Sequence, residues 1–449
     1  MLPVATKTKI SSIFDVQVLN QIDVFAERLE SGDLYGFEEG LYQEMVNCYN
    51  ATAQAMILEL SSRPSLVASQ RSLAARLGVG KLEFRRTWIQ LRTGFWAQTN
   101  GLYAKRVPAG YEGTRQMLHL WWSVMESASP AFYSLVCLYS VLCCSYDVAK
   151  QVLQMHYVQV GFDRMRLLAN RISAQCVKSR QDLVLKQGET LKGKRVFISL
   201  DGGRTRTRCY VPEKNRQGTH HKFNTPWKEP KMLVISVMDD EGKAQENCLP
   251  IYDCSFGDDE ILAVLRQYLA ALHIDQAELI QVVADGAPWI WNRVKPMLVA
   301  LGVAPEKIIE TVDYYHAAQN LYKAIEYLPE KTPTITTQQL KDMLWKGHTN
   351  AIVEKFQQLC PDWDDQTCET ILGYFTRNTE RMKYQSFKER NLPCGSGIME
   401  SAVRRVICLR FKCPSSFWNL ENLEGLIFLR SVLLAKRWEI FINNLARCP

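Results

Sequence analysis

Residues 196–203, with the sequence VFISLDGG, decide the fold class of this protein. Five strand-forming, mostly apolar residues lead directly to Asp201, and two glycines follow it. An apolar run of this length, with Lys-Gly-Lys before it, is typical of a buried central strand. A carboxylate at the end of such a strand is costly to bury unless a metal ion or a base pairs with it; the alternative is a simple strand-end turn. The glycines leave room for a tight turn or for a ligand beside Asp201.

Further strands are predicted in the second half of the chain, and three of them also end in an aspartate. They lie at residues 205–211, 231–239, 279–285 and 308–313, with a polar, basic loop over residues 212–230. Three consecutive strands followed by alternating strand and helix predict a mixed sheet with helices on its faces. The expected fold class is therefore α/β, with the sheet domain built from residues 193–320 and 393–449.

The N-terminal part of the chain has helical periodicity. Residues 1–105 are predicted to be a helical region in which residues 69–93 have the layout helix, glycine turn, helix of a helix-turn-helix motif. Arg85, Arg86 and Arg92 on its second helix would then contact DNA. The alternative is an ordinary helical hairpin with a solvated basic face.

Two further helical segments complete the predicted organisation. Residues 106–192 are expected to be a helical DNA-binding or linking region, and the main domain boundary is placed at its end. Residues 321–392 show no strand pattern and are predicted to be a helical insertion in the sheet domain. The predicted fold is thus a mixed α/β domain with an all-α N-terminal region and an all-α insertion.

Composition limits the class of protein. The chain has 449 residues, 47% hydrophobic and 22% charged residues, which is typical of soluble globular domains. The net charge of +7 is compatible with a polyanionic partner. The N-terminus lacks a signal-peptide pattern, and the longest apolar run (131–144) is short for a membrane span. The 14 cysteines contain no CxxC pair, so we expect reduced thiols and a cytoplasmic protein.

Three carboxylates stand out by context: Asp201 and Asp285 at strand ends, and Glu400 just inside a helix. Two neighbouring carboxylates repel each other unless a cation lies between them. Joined by a third from a packing helix, they would hold two divalent cations, a site suited to in-line phosphoryl transfer. Mg²⁺, or Mn²⁺ in its place, is expected because it binds through one or two carboxylates and leaves positions for phosphate oxygens.

The motifs ISLDGG, VVADG and VDYYHA, followed by GSGIMES and a basic stretch ending in FW, resemble the ribonuclease-H-like DDE transposases of bacterial insertion sequences. The resemblance covers residues 195–440. Glu400 lies 115 residues after Asp285, which is similar to members with a helical insertion before the glutamate. The family's metal carboxylates fall on Asp201, Asp285 and Glu400.

The resemblance implies a reaction and its partners. Such an enzyme hydrolyses double-stranded DNA at the ends of its element to free a 3′-OH and transfers that hydroxyl into target DNA. Because two ends must be processed, we expect a homodimer or a larger assembly. A bacterial protein of this kind would be cytoplasmic and associated with the nucleoid, with no membrane partner.

The end of the last predicted strand and the helix after it contain two further candidate residues, Asp313 and His316. Asp313 could be a further metal ligand, or it could cap the helix that follows, since aspartate is favoured before a first helical turn. His316 is expected near the site as a contact to a phosphate or to the scissile strand.

The stretch after Glu400 is basic and is predicted to contact DNA through Arg404, Arg405 and Lys412. Arg404 lies one helical turn after Glu400, so an ion pair between the two is the alternative. Trp418 could stack on an unpaired base, although a tryptophan on an amphipathic helix is more often part of the core.

Other functions compete with the transposase prediction. A nuclease or resolvase with the same fold would cut without joining, and it would need the same carboxylates. A non-catalytic DNA-binding descendant of a transposase would be recognised by a missing carboxylate. A glycosidase built on two carboxylates would have no use for the basic helix after Glu400.

Overall fold

The computed structural model describes residues 3–105, 115–214, 221–328, 334–414 and 416–447. The chain divides into two compact units. One runs to Cys176 and takes in the residues from Phe441 onward, and the other runs from Val177 to Ile440. The division thus falls before the predicted boundary at residue 193. The reason is that the helix at residues 180–184 belongs with the sheet, where Arg180 is bonded to the buried carboxylate of Asp253 and to the half-buried one of Glu424.

The described residues of the first unit form helices and one β-hairpin. In chain order these are α1 (Val4–Gln17), α2 (Ile22–Glu30), α3 (Leu34–Ser61), α4 (Pro64–Arg76), β1 (Leu82–Gln90), β2 (Trp96–Ala104), α5 (Met117–Trp121), α6 (Pro130–Leu142), α7 (Tyr146–Met155) and α8 (Phe162–Cys176). The strands pair in an antiparallel ladder, α3 packs on β2, and α6, α7 and α8 pack on one another.

The hairpin shows that the predicted helix-turn-helix is wrong. Its first helix exists as α4, and Gly78 makes a turn with φ of +68°. Residues 82–90 are a strand, however, so the region up to residue 105 is not all-helical. The aromatic and β-branched residues of this segment favour a strand, and Gly94, with φ of +86°, supplies the hairpin turn.

The described residues of the second unit form nine strands. They are β3 (Arg195–Gly202), β4 (Thr205–Arg206), β5 (Cys209–Lys214), β6 (His221–Asn224), β7 (Trp227–Lys228), β8 (Lys231–Met238), β9 (Ile251–Ser255), β10 (Leu279–Ala284) and β11 (Ile308–Val312). Five of them form one mixed sheet in the order β11-β10-β3-β8-β9. β3, β10 and β11 are parallel, whereas β8 is antiparallel to both β3 and β9.

The sheet confirms most of the predicted strands. β3, β8, β10 and β11 lie within one or two residues of the predictions, and residues 196–200 are buried as a central strand requires. The strand predicted at 205–211 does not join this sheet. It is split into β4 and β5, which pair with β7 and β6 in two short ladders inside the predicted loop. Positions 215–220 of that loop lie outside the described residues.

The rest of the second unit is helical in its described residues. Its helices are α9 (Arg180–Val184), α10 (Asp258–Ala271), α11 (Pro288–Trp291), α12 (Val294–Ala300), α13 (Tyr314–Ile325), α14 (Thr334–Trp345), α15 (Thr349–Leu359), α16 (Asp365–Arg377), α17 (Tyr384–Glu389), α18 (Gly397–Val403), α19 (Leu409–Phe411), α20 (Leu420–Leu434) and α21 (Trp438–Arg447), the last of which continues into the first unit. The predicted insertion at 321–392 is therefore helical outside residues 329–333, which are not described.

Helix α18 continues without a break into a π-helical segment, Arg404–Cys408, and then into α19. In a π-helix the backbone hydrogen bonds join residues five apart instead of four, so its turns are wider than those of an α-helix. The guanidinium Nε of Arg430 on α20 donates to the carbonyl oxygen of Arg405 at 2.9 Å, which helps to satisfy the backbone there. This helix therefore has a local irregularity between its two ends.

Helices cover the sheet. α10 packs against β8 and β9, α18 against β3 and β8, and α20 against β9. This packing explains why β8 and β9 consist almost entirely of buried residues. Among the described residues, no helix is both long enough and apolar enough to cross a membrane.

Candidate functional site

Three neighbouring parallel strands each end in an aspartate at the same edge of the sheet. In the pairing of β3 with β10, Ser199 lies opposite Val283, so Asp201 and Asp285, two residues further on, occupy corresponding positions. In the pairing of β10 with β11, the residues directly before Asp285 and Asp313 lie opposite each other. The register of the sheet thus brings the three carboxylates into one row.

The carboxyl group of Asp201 is partly buried and lies in the field of its neighbours. Burial raises its pKa above the ordinary value, and the charge of Asp285 raises it further, whereas the backbone N–H of Gly202 and the side chain of His316 lower it. That N–H donates to Asp201 Oδ1 at 2.6 Å. Among the described residues, no lysine or arginine nitrogen lies within 4 Å of a carboxylate oxygen of Asp201 or Asp285. The pair therefore carries negative charge that a cation could balance.

Asp285 is held by a turn and by a residue of the helical insertion. Its Oδ1 accepts from the backbone N–H of Ala287 at 3.0 Å. Its carbonyl oxygen accepts from the hydroxyl of Tyr374 on α16 at 3.0 Å, and burial raises the pKa of that hydroxyl. A Cβ on Gly286, which has φ of +106°, would collide with the Tyr374 ring. Sequence reasoning missed Tyr374 because nothing local to it indicates a partner 89 residues away.

Asp313 caps helix α13, as the second interpretation of this residue predicted. Its Oδ1 accepts from the backbone N–H of His316 at 2.9 Å. Its Oδ2 accepts from the backbone N–H and the hydroxyl of Ser396, at 2.5 and 2.8 Å. The carboxylate is completely buried and both oxygens are bonded, so its first role is structural.

The loop that precedes α18 is fixed to the edge of the sheet. Buried Gln281 on β10 donates from Nε2 to the carbonyl oxygen of Pro393 at 2.7 Å. The backbone N–H of Tyr314 donates to the carbonyl oxygen of Cys394 at 2.9 Å. With the two bonds from Ser396 to Asp313, these contacts determine where α18 begins. They place Glu400, in its first turn, at the aspartate row.

Glu400 comes together with two residues of the β11–α13 junction. Ligand-type atoms of Glu400, His316 and Asp313 lie within 4.8 Å of one another. His316 also acts electrostatically on Asp201, so it connects this group with the carboxylates of β3 and β10. Asp313, His316 and Glu400 are thus the group of described residues whose oxygen and nitrogen donors could hold one cation together, whereas the predicted trio of Asp201, Asp285 and Glu400 does not form such a group among the described residues.

The two glycines after Asp201 make room for the chain itself. A Cβ on Gly203 would come within 2.7 Å of Ile407 Cδ1, in the π-helical segment. A Cβ on Gly202 would collide with the carboxylate of Glu229. The space predicted for a turn or a ligand is thus used for helix packing and for a neighbouring acidic side chain.

The predicted DNA-binding cations are exposed, but their settings differ. Arg85 on β1 forms an ion pair with Glu83 and lies over the Tyr103 ring. No described carboxylate lies within 4 Å of the charged groups of the other predicted cations, Arg86, Arg92, Arg404, Arg405 and Lys412. The alternative of an ion pair between Arg404 and Glu400 is therefore not realised.

Trp418 is packed into the second unit. Its ring lies 5.0 Å from that of Phe411 and 4.7 Å from the guanidinium carbon of Arg410. These contacts favour the structural alternative for Trp418 over a free stacking surface.

Comparison with known proteins does not place the chain in a family. No family model matches it, and no curated protein matches its sequence. The geometry of the site and the motifs in the sequence are therefore the observations that indicate a function.

Proposed function

We propose that this protein is a metal-dependent DNA transposase of the DDE type. It would bind the ends of its element, hydrolyse the DNA to free a 3′-OH and transfer that hydroxyl into target DNA. The observation that carries the proposal is the pairing of β3 with β10, which aligns Asp201 with Asp285, together with the anchored loop that brings Glu400 to the same edge.

The topology supports a ribonuclease-H-like core. Three antiparallel strands, β3, β8 and β9, are followed by two strands parallel to β3 that extend the sheet on its other side. The predicted order of three consecutive strands and then alternating strand and helix agrees with this count, although β9 takes the place of the strand predicted at 205–211. The helical segment between β11 and α18 lies where the resemblance to transposases with an insertion expects it.

The donor set fits divalent cations. The carboxylates of Asp201, Asp285 and Glu400 supply the oxygens that Mg²⁺ and Mn²⁺ prefer, and among the described residues no lysine or arginine nitrogen lies within 4 Å of the two strand-end carboxylates. Two bound ions would generate a hydroxide nucleophile and stabilise the leaving oxygen.

The other residues of the site would position these ligands and the DNA. Asp313 fixes the start of α13 and the loop before α18, and Tyr374 holds the backbone of Asp285. His316 is half-buried and lies where it could contact a phosphate of the scissile strand. Arg404 and Lys412, exposed on and after the Glu400 helix, would contact phosphates further along.

The proposal predicts cleavage of a duplex that carries the DNA flanking the gene, in Mg²⁺ or Mn²⁺. Asp201→Asn, Asp285→Asn and Glu400→Gln should each slow cleavage about a thousandfold or more while duplex binding persists, because only the metal-binding charge is lost. Asp259→Asn changes an exposed carboxylate of the same unit and is the matched control. A gel assay with labelled duplex measures both cleavage and joining.

The same assay separates the competing functions. Joining of the freed 3′-OH to a second duplex supports a transposase, and cleavage without joining supports the nuclease alternative. If Glu400→Gln cuts normally while Asp313→Asn does not, the third ligand is wrongly assigned. A wild-type protein that binds the duplex in both metals and never cuts it is a DNA-binding relic.

A further inference from the structure

The second unit has a cavity apart from the aspartate row, beside the ladder of β4 and β7. It has a volume of about 330 Å³, within the range of about 300–1,000 Å³ found for small-molecule sites. We call it the Trp227 pocket; its lining includes Arg206, Trp227, Phe411, Lys412, Pro414 and Ser416. None of the residues assigned to metal binding takes part in it.

Backbone hydrogen bonds on both sides hold the wall of the pocket in place. The N–H of Thr207 donates to the carbonyl oxygen of Pro226 at 3.0 Å. On the other side, the N–H of Trp418 donates to the carbonyl oxygen of Arg206 at 3.1 Å, and the N–H of Arg208 donates to the carbonyl oxygen of Trp418 at 2.9 Å. The strand that carries Arg206 is therefore fixed between two neighbours, so the pocket is built into the fold.

A further bond ties this strand to the end of the Glu400 helix. The hydroxyl of buried Thr205 donates to the carbonyl oxygen of Phe411 at 2.7 Å. Phe411 and Lys412 also line the pocket. The strand and the end of the helix, which both contribute to the lining, are thus joined directly.

The chemistry of the pocket combines an indole face with two cations. Trp227 is 47% exposed, its ring centroid lies 4.8 Å from the guanidinium carbon of Arg206, and the ammonium of Lys412 lies 5.9 Å from the same centroid. Among the described residues, no carboxylate lies within 4 Å of either cation. An occupant with both a flat ring and a negative charge would match these groups.

The surface next to the pocket repeats this chemistry. The guanidinium carbon of Arg208 lies 4.9 Å from the centroid of the Phe223 ring, and the exposed Tyr210 ring lies 6.1 Å from it. Alternating aromatic rings and cations are typical of surfaces that bind single-stranded nucleic acid, in which bases stack and phosphates meet the cations.

We propose that the Trp227 pocket binds one nucleotide of an unpaired DNA strand. The base would stack on the exposed indole or on the Arg206 guanidinium, and its phosphate would lie between Arg206 and Lys412. A base inside a duplex cannot offer its face to a side chain, so the strand must be unpaired at this nucleotide. The choice of DNA rests on the proposed transposase function, in which a cleaved end exposes such a strand.

The position of the pocket suits a strand that leaves the aspartate row. Lys412 directly follows the last residue of the helix that carries Glu400 and lies 12 residues after it, which corresponds to about 18 Å along the helix axis. The exposed side chains of Arg404 and Arg405 lie between them in the chain. A strand bound at Glu400 could follow these cations to the pocket.

Fluorescence anisotropy with labelled oligothymidine and with a duplex of equal length tests the proposal, using the full chain. Trp227→Leu should weaken oligothymidine binding about tenfold or more, whereas Trp227→Phe should retain most of it, because leucine keeps apolar area but cannot stack. Duplex binding should change less than twofold. Trp121→Ala, which truncates an exposed tryptophan of the first unit, is the control.

Salt dependence tests the phosphate contact separately. Arg206→Gln should reduce the slope of log K against log salt for oligothymidine by about 0.7, the value for one phosphate contact on a single strand. Each measurement needs only binding, so it is independent of cleavage and can be repeated in Asp201→Asn. Oligothymidine binding that depends on Trp227 in a protein that never cuts DNA would uphold this pocket and overturn the transposase.

Three results would overturn the pocket proposal. One is equal oligothymidine affinity of Trp227→Leu and wild type. Another is an equal loss for duplex and single strand, which indicates general damage to the surface. The third is tighter binding of oligouridine RNA than of oligothymidine, which would reassign the pocket to RNA.

Discussion

Two groups of carboxylates in the second unit differ in whether a basic side chain neutralises their negative charge. On the edge strand β9, Asp253 is completely buried and bonded to Arg180 at 3.1 Å and to the Tyr268 hydroxyl at 2.9 Å. Arg180 also pairs with Glu424 at 2.6 Å. At the strand ends, Asp201 and Asp285 are only partly buried, yet no described lysine or arginine lies within 4 Å of their oxygens.

The first group has a negative charge that a basic side chain of the protein neutralises, whereas the second has a negative charge that a bound cation could neutralise. Burial raises the pKa of Asp253 to about 6, and Arg180 opposes that effect, so the chain itself supplies the counter-charge. In the aspartate row, the N–H of Gly202 and the side chain of His316 offset the repulsion only in part. Carboxylates left in this state are suited to a cation from solution.

The largest effect is expected when Asp253 loses the guanidinium group of Arg180. Arg180→Met should lower the free energy of unfolding by about 3–5 kcal/mol, because Asp253 would remain buried without its partner. Urea unfolding followed by circular dichroism measures this change. The matched control Arg293→Met removes an exposed pair with Asp259 and should cost about 0–1 kcal/mol. Equal losses in the two variants would remove the distinction between the groups.

An intermediate effect is expected from a cation added to the aspartate row. Mn²⁺ at a hundred times its dissociation constant should stabilise the wild type by about 2.7 kcal/mol, since it binds the folded chain. Thermal melts with and without Mn²⁺ measure the gain. Asp201→Asn should lose it, whereas Glu424→Gln, altered in the other group, should keep it. A gain that survives in Asp201→Asn would show that the ion binds elsewhere.

The smallest effect is expected from pH without metal. Because folding raises the pKa of Asp201, its carboxyl group favours the folded state at acidic pH, and this contribution is lost as the pH rises through the raised pKa. Asp201→Asn does not titrate, so in EDTA it should melt with the wild type near pH 4 and about 1–2 °C above it near pH 7.5. A variant that melts below the wild type at pH 7.5 would contradict the repulsion in the row.

The features that could be predicted from the sequence are those with a local signal. The apolar runs of β3, β8, β10 and β11 mark buried strands by themselves, and each leads to an aspartate; the parallel direction of β3, β10 and β11 places three of these aspartates at one sheet edge. The capping role of Asp313 followed from its place before a helix. Glu400 followed from the motif around it, since only the resemblance singled it out from other helical glutamates.

What could not be predicted depends on contacts distant in sequence. β9 contains Asp253, whose burial is possible only because Arg180, 73 residues earlier, pairs with it. Tyr374 and Ser396 join the site through bonds to Asp285 and Asp313 that span 89 and 83 residues. The β1–β2 hairpin is a different case, because its aromatic residues and Gly94 are a local signal for strand and turn, and the arginines between them fit a strand as well as a helix.

The π-helical turn at Arg404–Cys408 has a consequence for how this protein can change over time. It sets the rotational phase between Glu400 at one end of the helix and Lys412 at the other. The wider π-turn takes up one extra residue, so deleting one residue there would restore a regular α-helix and leave its two ends nearly in phase. A deletion in the α-helical part on either side would instead turn the two ends about 100° relative to each other, so the segment between Glu400 and Lys412 should tolerate the loss of a residue only at the π-turn.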